Sequence, residues 1–447
     1  NVASGDAEDI NRAVASAKKA YDSGVWSEMN PRDKKAIMLR WAQLLNEHRE
    51  ELALLEAIDT GRPIADALSV DAPNSARVIQ WYGETIDKTY DEIAPAPRNA
   101  LAMVTREPLG VIGAVVPWNY PMMITSWKLG PALAMGNSIV VKPAENSSLS
   151  ALKMAELAVA AGLPAGVFNV VPGLGSEAGQ ALARHMDVAK IAFTGSGPTG
   201  RKMMQYAAES NMKQVSLELG GKSPQVVLND CTDLEAAAST IAWAIYYNAG
   251  QTCNAGSRII VEKGVKEELF AHLHKFLESF VVGNQFDPTT QMAGLVSELQ
   301  RDRVNAYLDL VGQDGEKLIF GGQKTSGKDL LIKPTLIDNV KPGSRLAQEE
   351  IFGPVLVAID AKDEAEALQL ANGTEYGLAA SVWTNNVARA HKFARKLRAG
   401  TVWVNTFDML DVITPFGGFG ASGNGRDKSL HALDAYSALK TTWVDLN

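Results

Sequence analysis

The chain has 447 residues, 46% hydrophobic and 21% charged, with a formal net charge of −8. That length favours two or three domains over a single core, and the composition is that of an ordinary globular protein. Lysines and arginines are scattered with no basic block, which argues against a nucleic-acid groove or an anionic membrane surface as partner.

Two cysteines, Cys231 and Cys253, cannot build a secreted disulfide framework. The longest apolar runs, such as Leu109 to Pro117, are interrupted by Gly and Pro and are too short to span a bilayer. The opening "NVASGDAEDINRAV" has neither a basic nor an apolar leader segment. A cytoplasmic enzyme is the expectation. The first residue is Asn1 and not methionine, so any targeting signal upstream would be invisible.

In chain order, residues 7–59 carry a helical pattern, with apolar steps of three and four through Ala36, Leu39, Leu44, Leu45 and Leu52. "DTGRP" at 59–63 stops it, and a second helical stretch runs to about Lys88. The segment 91–109 holds three prolines and reads as an extended arm. From Gly110, "GVIGAVVP", "NSIVVKP", "GVFNVVPG" and "VAKIAFTG" are short runs rich in Val, Ile and Ala, separated by helical patterns at 126–135, 147–162 and 176–185. This alternation predicts βαβ units, and the lack of period-two patterning predicts strands buried on both faces of a parallel sheet. A second α/β series follows: "SRIIVEKG", "LIKPTLID", "GPVLVAID", "ASVWTN" and "GTVWVN", with helices at 264–281, 297–314, 363–372 and 386–399. The chain ends on a further strand pattern.

"GSGPTG" at 195–200 matches G-x-G-x-x-G between a strand and a helix, a geometry that brings phosphate to a helix N-terminus. Glu218 lies 18 residues beyond Gly200, where a ribose-binding acid is expected. The motif follows the fourth strand of its series and not the first, which weakens an ordinary Rossmann reading.

Cys253 sits in "YNAGQTCNAGSR", between Gly250 and Gly256. Glycines on both sides allow close approach of backbone and ligand, and the Cys253 N–H can donate to an oxyanion. The bland alternative is a buried structural thiol, which suits Cys231 well. Histidines 48, 185, 272, 274, 391 and 431 all lie in charge-rich, helix-like surroundings, and neither HExxH nor CxxC occurs. A catalytic Cys253 would therefore take a carboxylate as its base. Glu218, ahead of Gly220 and Gly221, is the candidate, since a carboxylate in an apolar pocket titrates near neutrality.

The stretches "PWNYP", "KPAENS", "FTGSGPTG", "LELGGKSP", "GQTCNAGSR", "EEIFGPV", "VWVN" and "PFGGFGASGNGRD" occur in that order across nearly the whole chain. Together they resemble the aldehyde dehydrogenase superfamily. "SGNGRDKSLHALDAYSALKTTW" gives the closest likeness, to the bacterial branch acting on γ-glutamyl-aminobutyraldehyde and related aminoaldehydes. The resemblance implies an α/β fold of three parts. These are a Rossmann-like parallel-sheet cofactor domain (1–90 and 110–221), an α/β catalytic domain (222–420) and a small β oligomerisation arm (91–109 and 437–447) that makes a homodimer or homotetramer.

It also implies roles. Cys253 becomes the nucleophile, Asn119 the oxyanion donor and Glu218 the base that activates water, which displaces the ribose assignment. Lys142 counts with the catalytic set and also binds the cofactor ribose with Glu145, whose charge should favour NAD over NADP. Val116, Pro117, Trp118, Gly173, Gly195, Ser196, Leu219, Glu350 and Phe352 complete the cofactor cleft. Tyr120, Met123, Trp127, Thr252, Asn254, Leu410, Asp411 and Phe416 line the aldehyde tunnel. No metal is implied. Asp408 and Asp411 fall near the tunnel mouth, and Asp411 is expected to attract a distal cation on an ω-amino or guanidino aldehyde or its γ-glutamyl conjugate; alternatively both aspartates cap turns. The other readings are a general aliphatic or aromatic aldehyde oxidiser, a coenzyme A-acylating enzyme and a non-catalytic relative.

Overall fold

A computed structural model describes residues 2–447. The helical pattern at the start is not one helix but three, Ala7–Asp22, Pro31–Glu47 and Arg49–Thr60. The break has a local cause. Asp6 caps the first helix with a reciprocal capping box, and Ser23 with left-handed Gly24 (φ +72°) ends it. Asn30 then accepts from the Arg32 N–H, and Pro31 takes the first helical position, where its missing N–H is harmless.

The arm is built of strands. Glu92–Ala94 (β1) and Ala100–Pro108 (β2) pair antiparallel, and the far side of β2 pairs along its whole length with the C-terminal strand Ser437–Asp445. Beyond the arm, Val111–Val115 (β3), Ser138–Lys142 (β4), Phe168–Val170 (β5), Val188–Thr194 (β6) and Gln214–Glu218 (β7) form a parallel sheet of order β5-β4-β3-β6-β7. The chain winds outward from β3 to β5 and then returns to β6 on the other side of β3. The crevice between β3 and β6 is thus the switch point at which such sheets hold ligands, outside the carboxyl ends of the strands.

"QVSLELGGKSPQVVL" is shared between two sheets. β7 ends at Glu218, and Pro224–Val227 (β8) begins the next. That sheet continues with Arg258–Glu262 (β9), Lys317–Phe320 (β10), Thr335–Asp338 (β11), Val355–Ala361 (β12), Ala379–Trp383 (β13) and Thr401–Val404 (β14), in the order β10-β11-β12-β9-β8-β13-β14. All pairings are parallel except that of β10, an exposed edge strand joined through a bulge, which the sequence pattern had not marked. The C-terminal strand is β15. Before it, the chain returns to the first sheet: the Leu219 N–H donates to the Ser422 carbonyl at 3.0 Å and Leu217 N–H to Asn424 Oδ1 at 2.9 Å. Residues 219–223 and this returning loop enclose the site. No helix among the described residues is long and apolar enough to cross a membrane.

Candidate active site

Cys253 follows one turn of 3₁₀ helix, Tyr247–Gly250, in which Asn248, Ala249 and Gly250 are all left-handed (φ +50°, +53° and +71°). Consecutive left-handed residues are strained, and such strain persists where the surroundings over-determine it. Here they do. A Cβ on Gly250 would lie 2.1 Å from the Gly353 carbonyl oxygen. Asn248 Nδ2 donates to the carbonyls of Asn119 (3.2 Å) and Gln251 (3.3 Å), and Gln251 Oε1 accepts from the Val296 N–H at 3.0 Å. The result is a rigid loop that leaves Cys253 partly exposed on a cavity wall.

Asn119 and Tyr120 lie between β3 and the helix Pro121–Ala134. Asn119 Nδ2 donates to the Gln251 carbonyl at 2.9 Å with one of its two hydrogens, and Tyr120 Oη lies 2.7 Å from Thr252 Oγ1. The amide and both hydroxyls are thereby fixed beside the thiol. Glu218, at the end of β7, is 3% exposed, and neither carboxylate oxygen has a hydrogen-bond partner. Burial and nearby Asp427 hold it well above the ordinary carboxylate range, against the opposing pull of Lys128 and Arg426. Asp427 is itself paired with buried Lys128 at 2.5 Å. The Cys253 thiol is pushed far up by burial and by the carboxylates Glu350, Glu218 and Asp408, with the Asn254 N–H acting in the opposite sense.

The cavity on which Cys253 opens has a volume of about 340 Å³, within the range of small-molecule sites. All eight residues expected to line the tunnel do line it. Tyr120 stands just ahead of the helix that supplies Met123 and Trp127, Thr252 and Asn254 flank the thiol, and Leu410, Asp411 and Phe416 come from the loop after β14. The expectation for Asp411 needs correction. Its Oδ2 is paired with Arg77 at 2.7 Å and its Oδ1 accepts from the Ile413 N–H at 3.1 Å, so it caps a turn and is no free cation trap. Asp408 lies deeper, accepts from Asn254 Nδ2 at 2.7 Å, and is pushed up to about 6 by burial.

Sequence reasoning missed four groups here. Trp243 and Tyr247 complete the aromatic wall, and Lys428 reaches the cavity from the returning loop. Arg62, fully buried and paired with Asp71, lies between the rings of Tyr120 (4.6 Å) and Tyr247 (4.7 Å). "DTGRP" had been read only as a helix stop, and no local signal reveals a contact across 185 residues.

A second group gathers at the switch-point crevice. Lys142 ends β4, and its Nζ lies 2.9 Å from Glu145 Oε1, which also accepts from the Gly175 N–H at 2.6 Å. Burial pushes Glu145 up, but Lys142 and backbone N–H groups outweigh it and leave the carboxyl below its usual range. Lys142 thus belongs to this crevice and not to the lining around Cys253. Val116, Pro117 and Trp118 follow β3, and Trp118 meets Phe352 edge-on at 5.4 Å. Gly195 and Ser196 end β6 and enter the helix Gly197–Ala208. Ser196 makes no capping bond to that helix, so its first N–H groups remain open to a phosphate. Gly200 lets the helix sit on Leu219, since a Cβ there would come within 2.7 Å of Leu219 Cδ2. Gly173 is different: it is buried against Gly5 and Ala178, where a Cβ would lie 2.3 Å from the Gly5 carbonyl, so its small size serves packing within the chain. Glu350 Oε1 accepts from the Gly221 N–H at 3.0 Å, and burial pushes the carboxyl up to about 7. Among the described residues, no group of three or more His, Cys, Asp or Glu is placed to hold a metal.

Comparisons with known proteins agree with this geometry. The profile of the aldehyde dehydrogenase family matches residues 1–442. The NADP/NAD-dependent aldehyde dehydrogenase PuuC of Escherichia coli (strain K12) is 48% identical over 445 residues, covering 100% of this chain and 90% of that protein. A crystal structure of indole-3-acetaldehyde dehydrogenase complexed with NAD+ superposes with a TM-score of 0.98 at 52% identity, covering 100% of this chain and 90% of the other. That of γ-glutamyl-γ-aminobutyraldehyde dehydrogenase from Burkholderia cenocepacia J2315 gives 0.97 at 51% identity, with the same coverage.

Proposed function

The chain belongs to the aldehyde dehydrogenase family and acts on the aldehyde group of small molecules, and from that premise we propose that it oxidises an aldehyde with an amine-derived tail to its carboxylic acid, using NAD and a thioester on Cys253. The observation that carries this reading is the junction of one thiol, one amide donor and one buried, unpartnered carboxyl beside an apolar cavity.

The Cys253 thiol gives up its proton to water in the cavity as its sulfur attacks the aldehyde carbon. The oxyanion that forms is held by the free N–H of the Asn119 amide and by the Cys253 backbone N–H. Asn119 is preorganised for this by its bond to the Gln251 carbonyl. A bound nicotinamide supplies the hydride acceptor for the carbon held on sulfur. Glu218, once ionised, takes a proton from water as that water attacks the thioester, and Cys253 leaves as thiolate or thiol.

The residues at the crevice fit a dinucleotide. The open N-terminus of Gly197–Ala208 suits a pyrophosphate, and Lys142 with Glu145 offers a donor and an acceptor for two ribose hydroxyls. An ionised Glu145 disfavours a 2′-phosphate, which supports NAD over NADP. Glu350 and Phe352 would hold the nicotinamide ribose and pack near the ring.

Assembly into dimers or tetramers is supported by the edge of the β1-β2-β15 sheet, where Ile93, Leu439 and Trp443 are each more than half exposed.

The test is NADH formation from a panel of aldehydes. Amine-derived tails should exceed alkyl and aromatic tails of equal size in kcat/KM. Equal or lower values would leave a general aliphatic or aromatic aldehyde oxidiser.

A further inference from the structure

Arg62 is 1% exposed, and its guanidinium lies between two rings, 4.6 Å from the centre of Tyr120 and 4.7 Å from that of Tyr247. One edge is paired with the equally buried Asp71, and Nη2 donates to Tyr247 Oη at 2.5 Å. Both rings line the cavity that holds Cys253, and Arg62 does not. Any effect of Arg62 on the reaction therefore passes through them.

A buried ion pair adds little stability over apolar residues of the same volume, so stability alone does not account for this one. Asp71 stands at the end of a π-helical turn, Ala67–Asp71, that runs into the helix Ala72–Thr85. Such turns are rare and recur at functional sites. Val70 and Asn74, from the same stretch, line the Cys253 cavity.

The two rings belong to the two segments that carry the reacting groups. Tyr120 follows Asn119, the oxyanion donor, and its Oη lies 2.7 Å from Thr252 Oγ1, one residue before the nucleophile. Tyr247 opens the left-handed turn Tyr247–Gly250 that presents Cys253. Asn119 Nδ2 donates to the Gln251 carbonyl at 2.9 Å and Asn248 Nδ2 to the Asn119 carbonyl at 3.2 Å, which ties the segments through their amides. Arg62 ties them through their rings. A guanidinium is planar, so each face can take a ring while its edge serves Asp71 and the Tyr247 hydroxyl. The compact ammonium of a lysine cannot do both.

We propose that Arg62 is a positioning residue for the attack of Cys253: clamped between Tyr120 and Tyr247, it holds the oxyanion donor and the thiol in register without touching the aldehyde. This rests on the thioester chemistry argued above and adds a residue to it.

The test is made in the Glu218→Gln enzyme with saturating NAD and hexanal. There the amount of NADH in the first turnover counts competent sites, and its rate constant reports attack and hydride transfer. Adding Arg62→Lys keeps a charge opposite Asp71 and loses the planar stack. The rate constant should fall about tenfold, with the amplitude still close to one NADH per site and the Kd for NAD unchanged. Arg62→Met combined with Asp71→Asn removes both charges and leaves neither buried alone. It should slow the first turnover by about tenfold to a hundredfold, and it carries the comparison if the Lys variant does not fold. Three results would make Arg62 a structural support only and overturn the proposal: an unmoved rate constant, an amplitude that falls while the remaining sites react at the full rate, or failure of both variants to fold. The thioester reading would stand in each case. A Glu218→Gln enzyme with Arg62 intact that gives no first-turnover NADH would overturn the thioester reading, and this proposal with it.

Discussion

The phenolic oxygen of Tyr120 lies 2.7 Å from the hydroxyl of Thr252, the residue before the nucleophilic cysteine. One side chain thus spans from the first sheet's loop to the catalytic loop, while its ring rests on Arg62. Tyr120→Phe keeps the ring and loses the bond. A neutral hydrogen bond of this kind is worth about 1 kcal/mol, so kcat/KM should fall roughly threefold to tenfold. A double-mutant cycle with Thr252→Val should show a coupling of that size, and additive losses would mean that the contact does not matter.

Asn119 is held by the Gln251 carbonyl and keeps one N–H for an oxyanion. Removing a single donor of this type typically costs about 10²–10³ in kcat. Asn119→Ala should therefore lose about that factor in NADH formation while its affinity for NAD stays the same. A loss confined to KM would assign Asn119 to substrate binding instead.

The two βαβ series, the arm and most of the tunnel were legible because parallel strands buried on both faces leave unmistakable apolar runs, and because the motifs are local. Glu218 and Cys253 stand 35 residues apart in sequence, and each is marked by glycines two or three residues away. What was not legible depends on contacts between distant segments. Arg62 meets Tyr247 only because two helical regions close over each other, and Asp411 is paired with Arg77, 334 residues away. Lys428 looked like one charge among many in "NGRDKS"; only its burial against the cavity shows that it points inward. β10 was missed because its apolar run is only three residues long, "LIF" at 318–320, and stands on an exposed edge.

Glu145 sets the cofactor preference in this account. Glu145→Ser removes the charge that faces a 2′-phosphate and releases Lys142 to meet it. The NAD-to-NADP ratio of kcat/KM should fall by about tenfold. An unchanged ratio would show that Glu145 does not touch that ribose.

Glu56 carries a prediction about stability. It is fully buried, its Oε1 accepts from the Met122 N–H and Ser150 Oγ, and its Oε2 has no partner. Burial, with Asp71 adding to it, pushes the carboxyl up to about 8. The folded chain therefore keeps this proton to about pH 8, while the unfolded chain releases it near pH 4.5. Between those values folding takes up a proton, and stability declines as pH rises, by up to about 1.4 kcal/mol per pH unit. Glu56→Gln removes that dependence. Its stability relative to the unmutated protein should climb from pH 5 to pH 8 in thermal unfolding, and parallel curves would refute the assignment.

The division of labour between Cys253 and Glu218 is the central claim, and rapid mixing tests it most directly. NAD and a saturating aldehyde are mixed with the enzyme, and NADH is followed from the first turnover. Glu218→Gln should release close to one NADH per site and then nearly stop, because the thioester forms and is not hydrolysed. In the unmutated enzyme the steady rate should climb as pH rises past the ordinary carboxylate range, since burial holds Glu218 protonated below it, and that limb should vanish in the variant. Cys253→Ala should give neither burst nor turnover. Steady turnover in Cys253→Ala, or a Glu218→Gln enzyme that shows no burst and only a raised KM for NAD, would contradict the account.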